Sequence, residues 1–203
     1  MLDCLSIIER YYTPGNDDYR VLVSHSRRVA DMAVALSQRL IDKGTPIDIE
    51  FVEEAAMLHD IGMCRTDAPG IHCHGSEPYI LHGILGRKML DGMGLFRHGR
   101  VCERHTGAGI TAAEIIAQHL PIDPPRDLLP ESLEEKVVCY ADKFFSKSRI
   151  DEEPKTLERA RQSLAKFGGD TLQRFEELVA LFGDPATLCF YEPVARTTRQ
   201  QGY

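Results

Sequence analysis

Apolar residues recur at three- and four-residue steps along most of the chain. Val21, His25, Val29, Met32, Leu36 and Leu40 share one face of a helix that Gly44 and Pro46 end. A second helix starts at Asp48, a suitable N-cap. It carries Phe51, Val52, Ala55, Ala56 and His59 on one side and stops at Gly62. Residues 63–78 hold two prolines, two glycines and several polar groups, which predicts a loop. Helices follow over about 80–90 and 97–105, and Gly107-Ala108-Gly109 breaks the chain. Thr111-Ala112-Ala113-Glu114 is a capping-box pattern opening a short helix that Pro121 closes. After a turn region with four prolines over 121–130, Ser132-Leu133-Glu134-Glu135 opens a helix running through Ser146. Two more helices are expected near 154–166 and 170–182. No strand alternation of useful length, internal repeat or low-complexity segment appears. The pattern predicts an all-α fold, one helical domain over 1–183 around a single core, with a tail over 184–203 that has no clear period.

Within these apolar faces sit polar exceptions. His25 lies four residues from both Val21 and Val29. His59 follows Ala55 by four, and Asp142 follows Val138 by four and precedes Phe145 by three. A lone inward histidine is ordinarily a hydrogen-bonded core residue. A buried carboxylate needs a partner, and for Asp142 the pairing could be with Arg27 or Arg28. Several such positions beside a His59-Asp60 pair point instead to a shared metal, because imidazole and carboxylate are ligands for first-row ions.

Composition narrows the function. The 203 residues include 24 basic and 31 acidic side chains, a net charge of −7. Such a chain is a poor candidate for sequence-independent nucleic-acid binding. It remains compatible with a small phosphorylated ligand, since a metal supplies local positive charge. No run of ~18 apolar residues suggests a membrane span. The start Met1-Leu2-Asp3-Cys4-Leu5 does not read as a signal peptide. Six cysteines, at 4, 64, 73, 102, 139 and 189, form no C-x-x-C pair and read as reduced thiols of a cytoplasmic protein.

Met57-Leu58-His59-Asp60-Ile61-Gly62 resembles the HDIG signature of the HD-domain metal-dependent phosphohydrolases. The resemblance spans about 20–150 in order. His25 matches the family's first histidine and Asp142, in Tyr140-Ala141-Asp142-Lys143, its distal aspartate. His82 and His105 match the two extra histidines of the binuclear subgroup. In members with one metal, the positions of His25, His59, Asp60 and Asp142 hold it. In members with two, that of Asp60 bridges them and those of His82 and His105 bind the second. With all six filled, the resemblance implies two divalent transition ions, of iron, manganese, cobalt, nickel or zinc. The alternative for His82 and His105 is contact with substrate phosphate.

The implied activity is hydrolysis of a phosphate ester or phosphoanhydride of a nucleotide-like substrate by a metal-bound hydroxide. Asp60 and Lys143 would be catalytic, and Lys143 could also meet a phosphate oxygen. Thr106, with the glycines after it, could bring backbone amides to a phosphate. His74 is expected to meet substrate from the 63–78 loop. A separate zinc site there, using Cys64, fits no structural zinc spacing. The motifs lie nearest to small hydrolases that split diadenosine tetraphosphate symmetrically, although the 63–78 loop departs from them. Two other readings are a binuclear-iron oxygenase of the same superfamily and a non-catalytic nucleotide sensor. A homodimer through the apolar face near 170–182 is possible, with a core role the default.

Overall fold

The computed structural model describes residues 2–188, so Cys189 and most of the 184–203 tail lie outside the described residues. A short helix that the periodicity did not predict, α1 (Cys4–Ile8), precedes α2 (Asp17–Asp42) and α3 (Ile49–Leu58). Asp48 caps α3 as expected, its carboxylate accepting the Phe51 N–H at 3.1 Å. A 3-10 turn over Ile61–Arg65 follows. The segment read as a loop then folds into three short strands, β1 (Thr66–Ala68), β2 (Cys73–His74) and β3 (Glu77–Pro78). β1 lies in the middle, antiparallel to β2 and parallel to β3. Strands of two or three residues are too short to show alternation, which is why the pattern predicted none. The fold class is nonetheless all-α.

Next come α4 (His82–Asp91), α5 (Phe96–Arg104), α6 (Ala112–Ala117) and α7 (Leu133–Asp142). The capping box at Thr111 and Glu114 is complete. The one expected at Ser132 is only half made. Ser132 accepts the Glu135 N–H, but the Glu135 carboxylate is drawn to Arg100 and Arg104, each at 3.1 Å, and to the Glu131 N–H at 2.7 Å. α7 also ends at Asp142, four residues before the predicted Ser146. Beyond it the backbone switches to three-residue turns, Phe144 N–H to Ala141 C=O at 3.2 Å and Phe145 N–H to Asp142 C=O at 3.3 Å. This early stop turns the chain back across the open end of the bundle.

α8 (Leu157–Ala165) and α9 (Gly169–Phe182) follow, and a 3-10 turn over Pro185–Thr187 completes the described structure. The apolar face of α9 is core. Phe175 and Phe182 are buried and lie 5.5 and 5.4 Å, ring centre to ring centre, from Tyr140 of α7. That face is therefore used within the chain, the default core role. Five cysteines, Cys4, Cys64, Cys73, Cys102 and Cys139, are free. No helix among the described residues is long and apolar enough to cross a membrane.

Two glycines set how closely α3, α4 and α5 approach one another. A Cβ on Gly62 would land on the His82 carbonyl and the Gly86 amide. A Cβ on Gly83 would land on the Cys102 carbonyl. The first contact presses the turn after α3 against α4, and the second presses α4 against α5. Gly62→Ala is expected to cost about 1–3 kcal/mol of stability through overpacking, seen as a Tm several degrees lower. Gly169→Ala, at an open helical position, is expected to be neutral or slightly stabilising. Equal Tm values for the two variants would contradict this account of the packing.

Candidate metal centre

The six inward polar residues come together, five of them at helix ends. His25 projects from α2. His59 and Asp60 sit where α3 gives way to its 3-10 turn. His82 opens α4, His105 follows the last residue of α5, and Asp142 closes α7. All six are buried, and Asp60 is 0% exposed.

The two oxygens of Asp60 face different partners. Oδ2 lies 3.2 Å from His25 Nε2 and 3.1 Å from His59 Nε2. On that side Asp142 Oδ1 lies 2.9 Å from His25 Nε2 and 3.6 Å from His59 Nε2. Oδ1 lies 3.4 Å from His82 Nε2 and 3.3 Å from His105 Nε2. Two ligand groups result, His25–His59–Asp60–Asp142 and Asp60–His82–His105, with Asp60 common to both. Either could hold a divalent metal ion.

The hydrogen bonds around the histidines fit that role. His59, His82 and His105 each donate Nδ1–H to the carbonyl three residues earlier, of Ala56, Tyr79 and Cys102, at 2.6 to 2.7 Å. This pairing fixes the tautomer and aims each Nε2 at the centre, as the outer partner of a metal-ligating histidine does. Tyr79 also stacks on the His82 ring, 4.6 Å between centres. His59 Nε2 and both Asp60 oxygens are buried without an aligned hydrogen bond. They approach their neighbours in distance but converge on shared points instead of on one another's protons. His82 Nε2 and His105 Nε2 are 3.0 Å apart. Burial, reinforced by the facing His105, pushes His82 down to about 3, and burial likewise lowers His105. Both rings are thus neutral at pH 7, and two lone pairs face each other. A cation held by His82, His105 and Asp60 would relieve that repulsion.

The other half of the site is charged. Burial opposes charging His59, but the neighbouring carboxylates of Asp60 and Asp142 prevail and raise it to about 9. Both aspartates are held well below the ordinary carboxylate range despite their burial. For Asp60 the chief cause is His59 and then Lys147, and for Asp142 it is Lys143 and then Lys147.

Lys147 is the residue that sequence reasoning missed. Its Nζ lies 2.8 Å from Asp60 Oδ2 and 3.6 Å from Asp142 Oδ1, brought there by the chain reversal after α7. Outside any helical face, no periodicity marks it. Lys143 pairs with Asp142 Oδ2 at 2.7 Å and donates to the His105 carbonyl at 3.0 Å. Thr106 is half-buried, and its neighbour Gly107 is the residue that lines the adjoining cleft. His74 stands exposed on β2, outside the lining of that cleft. Cys64 joins no ligand group among the described residues.

The family model for the HD domain matches residues 22–146, a span that contains all six residues of the centre. The chain belongs to the HD domain family. An uncharacterized protein of Methanocaldococcus jannaschii is 38% identical to this HD protein over 132 residues, 64% of this chain and 70% of the relative. Two proteins named tRNA (cytidine(56)-2'-O)-methyltransferase are also similar. The one from Thermoplasma volcanium is 34% identical over 70% of this chain, and the one from Picrophilus torridus is 35% identical over 72%. The chain spans only 36% of the length of each. No solved structure matches.

Because His59 carries a proton below about pH 9 in the metal-free HD domain, a metal must displace that proton to bind. Apparent affinity should therefore rise as pH increases from 7 towards 9, by up to about tenfold per unit. Competition titrations against a chelating indicator measure this directly. An affinity independent of pH over that range would contradict the assignment of His59.

Proposed function

We propose that this HD protein is a metal-dependent phosphohydrolase acting on a small nucleotide-like phosphate ester or phosphoanhydride. The observation that carries the reading is the division of Asp60, one oxygen to each ligand group. His25, His59, Asp60 and Asp142 would hold one ion, and Asp60, His82 and His105 a second. When bound, such a pair lowers the pKa of a water and neutralises developing charge on phosphoryl oxygens.

The chain's own side chains supply the rest. Asp60 fixes the position of both ligand groups. Lys143 and Lys147 now neutralise Asp142 and Asp60. Once those carboxylates engage cations, both ammonium groups are free to turn to an anionic substrate in the adjoining cleft. Helix ends hold five of the six ligands and the body of α2 holds His25, so the site is preorganised by packed backbone. A tRNA substrate is not part of this proposal, because a chain of net charge −7 suits nucleic-acid binding poorly. The diadenosine tetraphosphate substrate rests on motif similarity and enters as one member of the test panel.

Phosphate release should be assayed with nucleoside monophosphates, nucleoside diphosphates and diadenosine tetraphosphate, after loading with manganese, iron, cobalt, nickel or zinc. At least one combination should turn over, and Asp60→Ala should reduce it by about 10³-fold or more. Oxygen consumption without phosphate release would replace this reading by the oxygenase. Tight nucleotide binding with no product under any metal would replace it by the sensor.

A further inference from the structure

Beside the metal centre lies a cleft of about 510 Å³, which reaches the ligands at Asp142. Its near wall carries Lys143 and Lys147. Its far wall is built by α8 and its flanks, with Lys155 at one end and Leu164 and Phe167 at the other. These residues lie outside the 22–146 span of the HD match. The far wall thus lies outside the part of the chain that the family model matches.

Two of its features call for a ligand. Lys155 is half-buried, and among the described residues its Nζ donates only to the Lys143 carbonyl, at 3.3 Å, with no carboxylate within ion-pair distance. Burial, with the charges of Lys143 and Lys147, pulls its ammonium below the ordinary lysine value, against the pull of Asp142. A cation so placed has no carboxylate in contact with it. Phe167 is 60% exposed at the mouth of the same cleft, next to buried Leu164. An exposed ring over an apolar floor is a surface for a flat ring to cover.

We infer that this wall selects a phosphate ester carrying a planar ring, with Lys155 meeting a phosphate oxygen and the ring lying on Leu164 and Phe167. The inference rests on the phosphohydrolase reading for the direction in which the phosphate points, and it names the substrate class of that site. Lys155 and Phe167 are specificity determinants, one for charge and the other for shape.

Calorimetric titration of the full chain with AMP, adenosine and inorganic phosphate tests it. AMP should bind at least tenfold more tightly than either fragment. Lys155→Ala should remove most of the advantage of AMP over adenosine, and Lys155→Arg should keep it. Phe167→Ala should weaken AMP and adenosine together and leave phosphate unchanged. Thermal melts identify a variant that fails to fold, and Lys155→Arg together with Phe167→Leu then carry the comparison. With a turned-over nucleotide, both alanine variants should raise KM about tenfold with kcat within about twofold. If AMP binds no better than phosphate, or neither variant alters its affinity, the inference is overturned while the hydrolase reading stands. If the binding pattern holds but no phosphate is released, the inference survives and the hydrolase reading falls.

Discussion

The structure is organised around one buried carboxylate. Asp60 has no exposed surface, and neither oxygen makes an aligned hydrogen bond. An ionised carboxylate removed from water without compensation costs of order several kcal/mol. Four histidines and Lys147 surround it instead of water. Such concentrated charge must be balanced, and in this chain the balance is struck by Lys147 and by His59, a histidine that could also ligate a metal. The Lys147 ammonium, 2.8 Å from Asp60 Oδ2, and the proton on His59 both lie beside the ligand group that could hold a divalent cation.

The rest of the fold keeps these groups in register. Gly62 and Gly83 permit backbone contacts that no side chain would allow, and so bring His82 and His105 up to Asp60. Carbonyls at the ends of α3 and α5 and before α4 each take an Nδ1–H, orienting three imidazoles without further side chains. Away from the centre, ion pairs tie the connections. Glu103 is paired with Arg87 and Arg126, and Glu135 with Arg100 and Arg104. Arg174 of α9 reaches Glu114 at 2.8 Å, fastening the last helix across α6. The aromatic group of Tyr140, Phe144, Phe175 and Phe182 locks α9 against α7, behind Asp142.

Much of the centre was legible because its residues violate a pattern. His25, His59 and Asp142 are polar on faces that are otherwise apolar, and an HDIG motif joins them to His82 and His105. Lys147 breaks no pattern, since it lies in a reversal set by where α7 stops, and that stop depends on turn bonds that periodicity does not encode. α1 is too short for a recognisable face, and the two- and three-residue strands too short for alternation. The one-sided cap at Ser132 reflects tertiary competition, because Arg100 and Arg104 take the carboxylate that a capping box would use. His74, by contrast, was singled out for its neighbours in sequence, and the fold leaves it on an exposed strand. The cleft wall of Lys155 and Phe167 emerges only when α8 packs beside the centre.

Elemental analysis of untagged protein, purified without chelators and then reconstituted, bears most directly on the central claim. Wild-type protein should hold close to two equivalents of a divalent transition metal per chain. His82→Ala should hold close to one, because only the Asp60–His82–His105 group is damaged. A folded wild-type protein that takes up no metal on reconstitution would contradict the account, leaving Lys147 and the His59 proton as the permanent partners of Asp60.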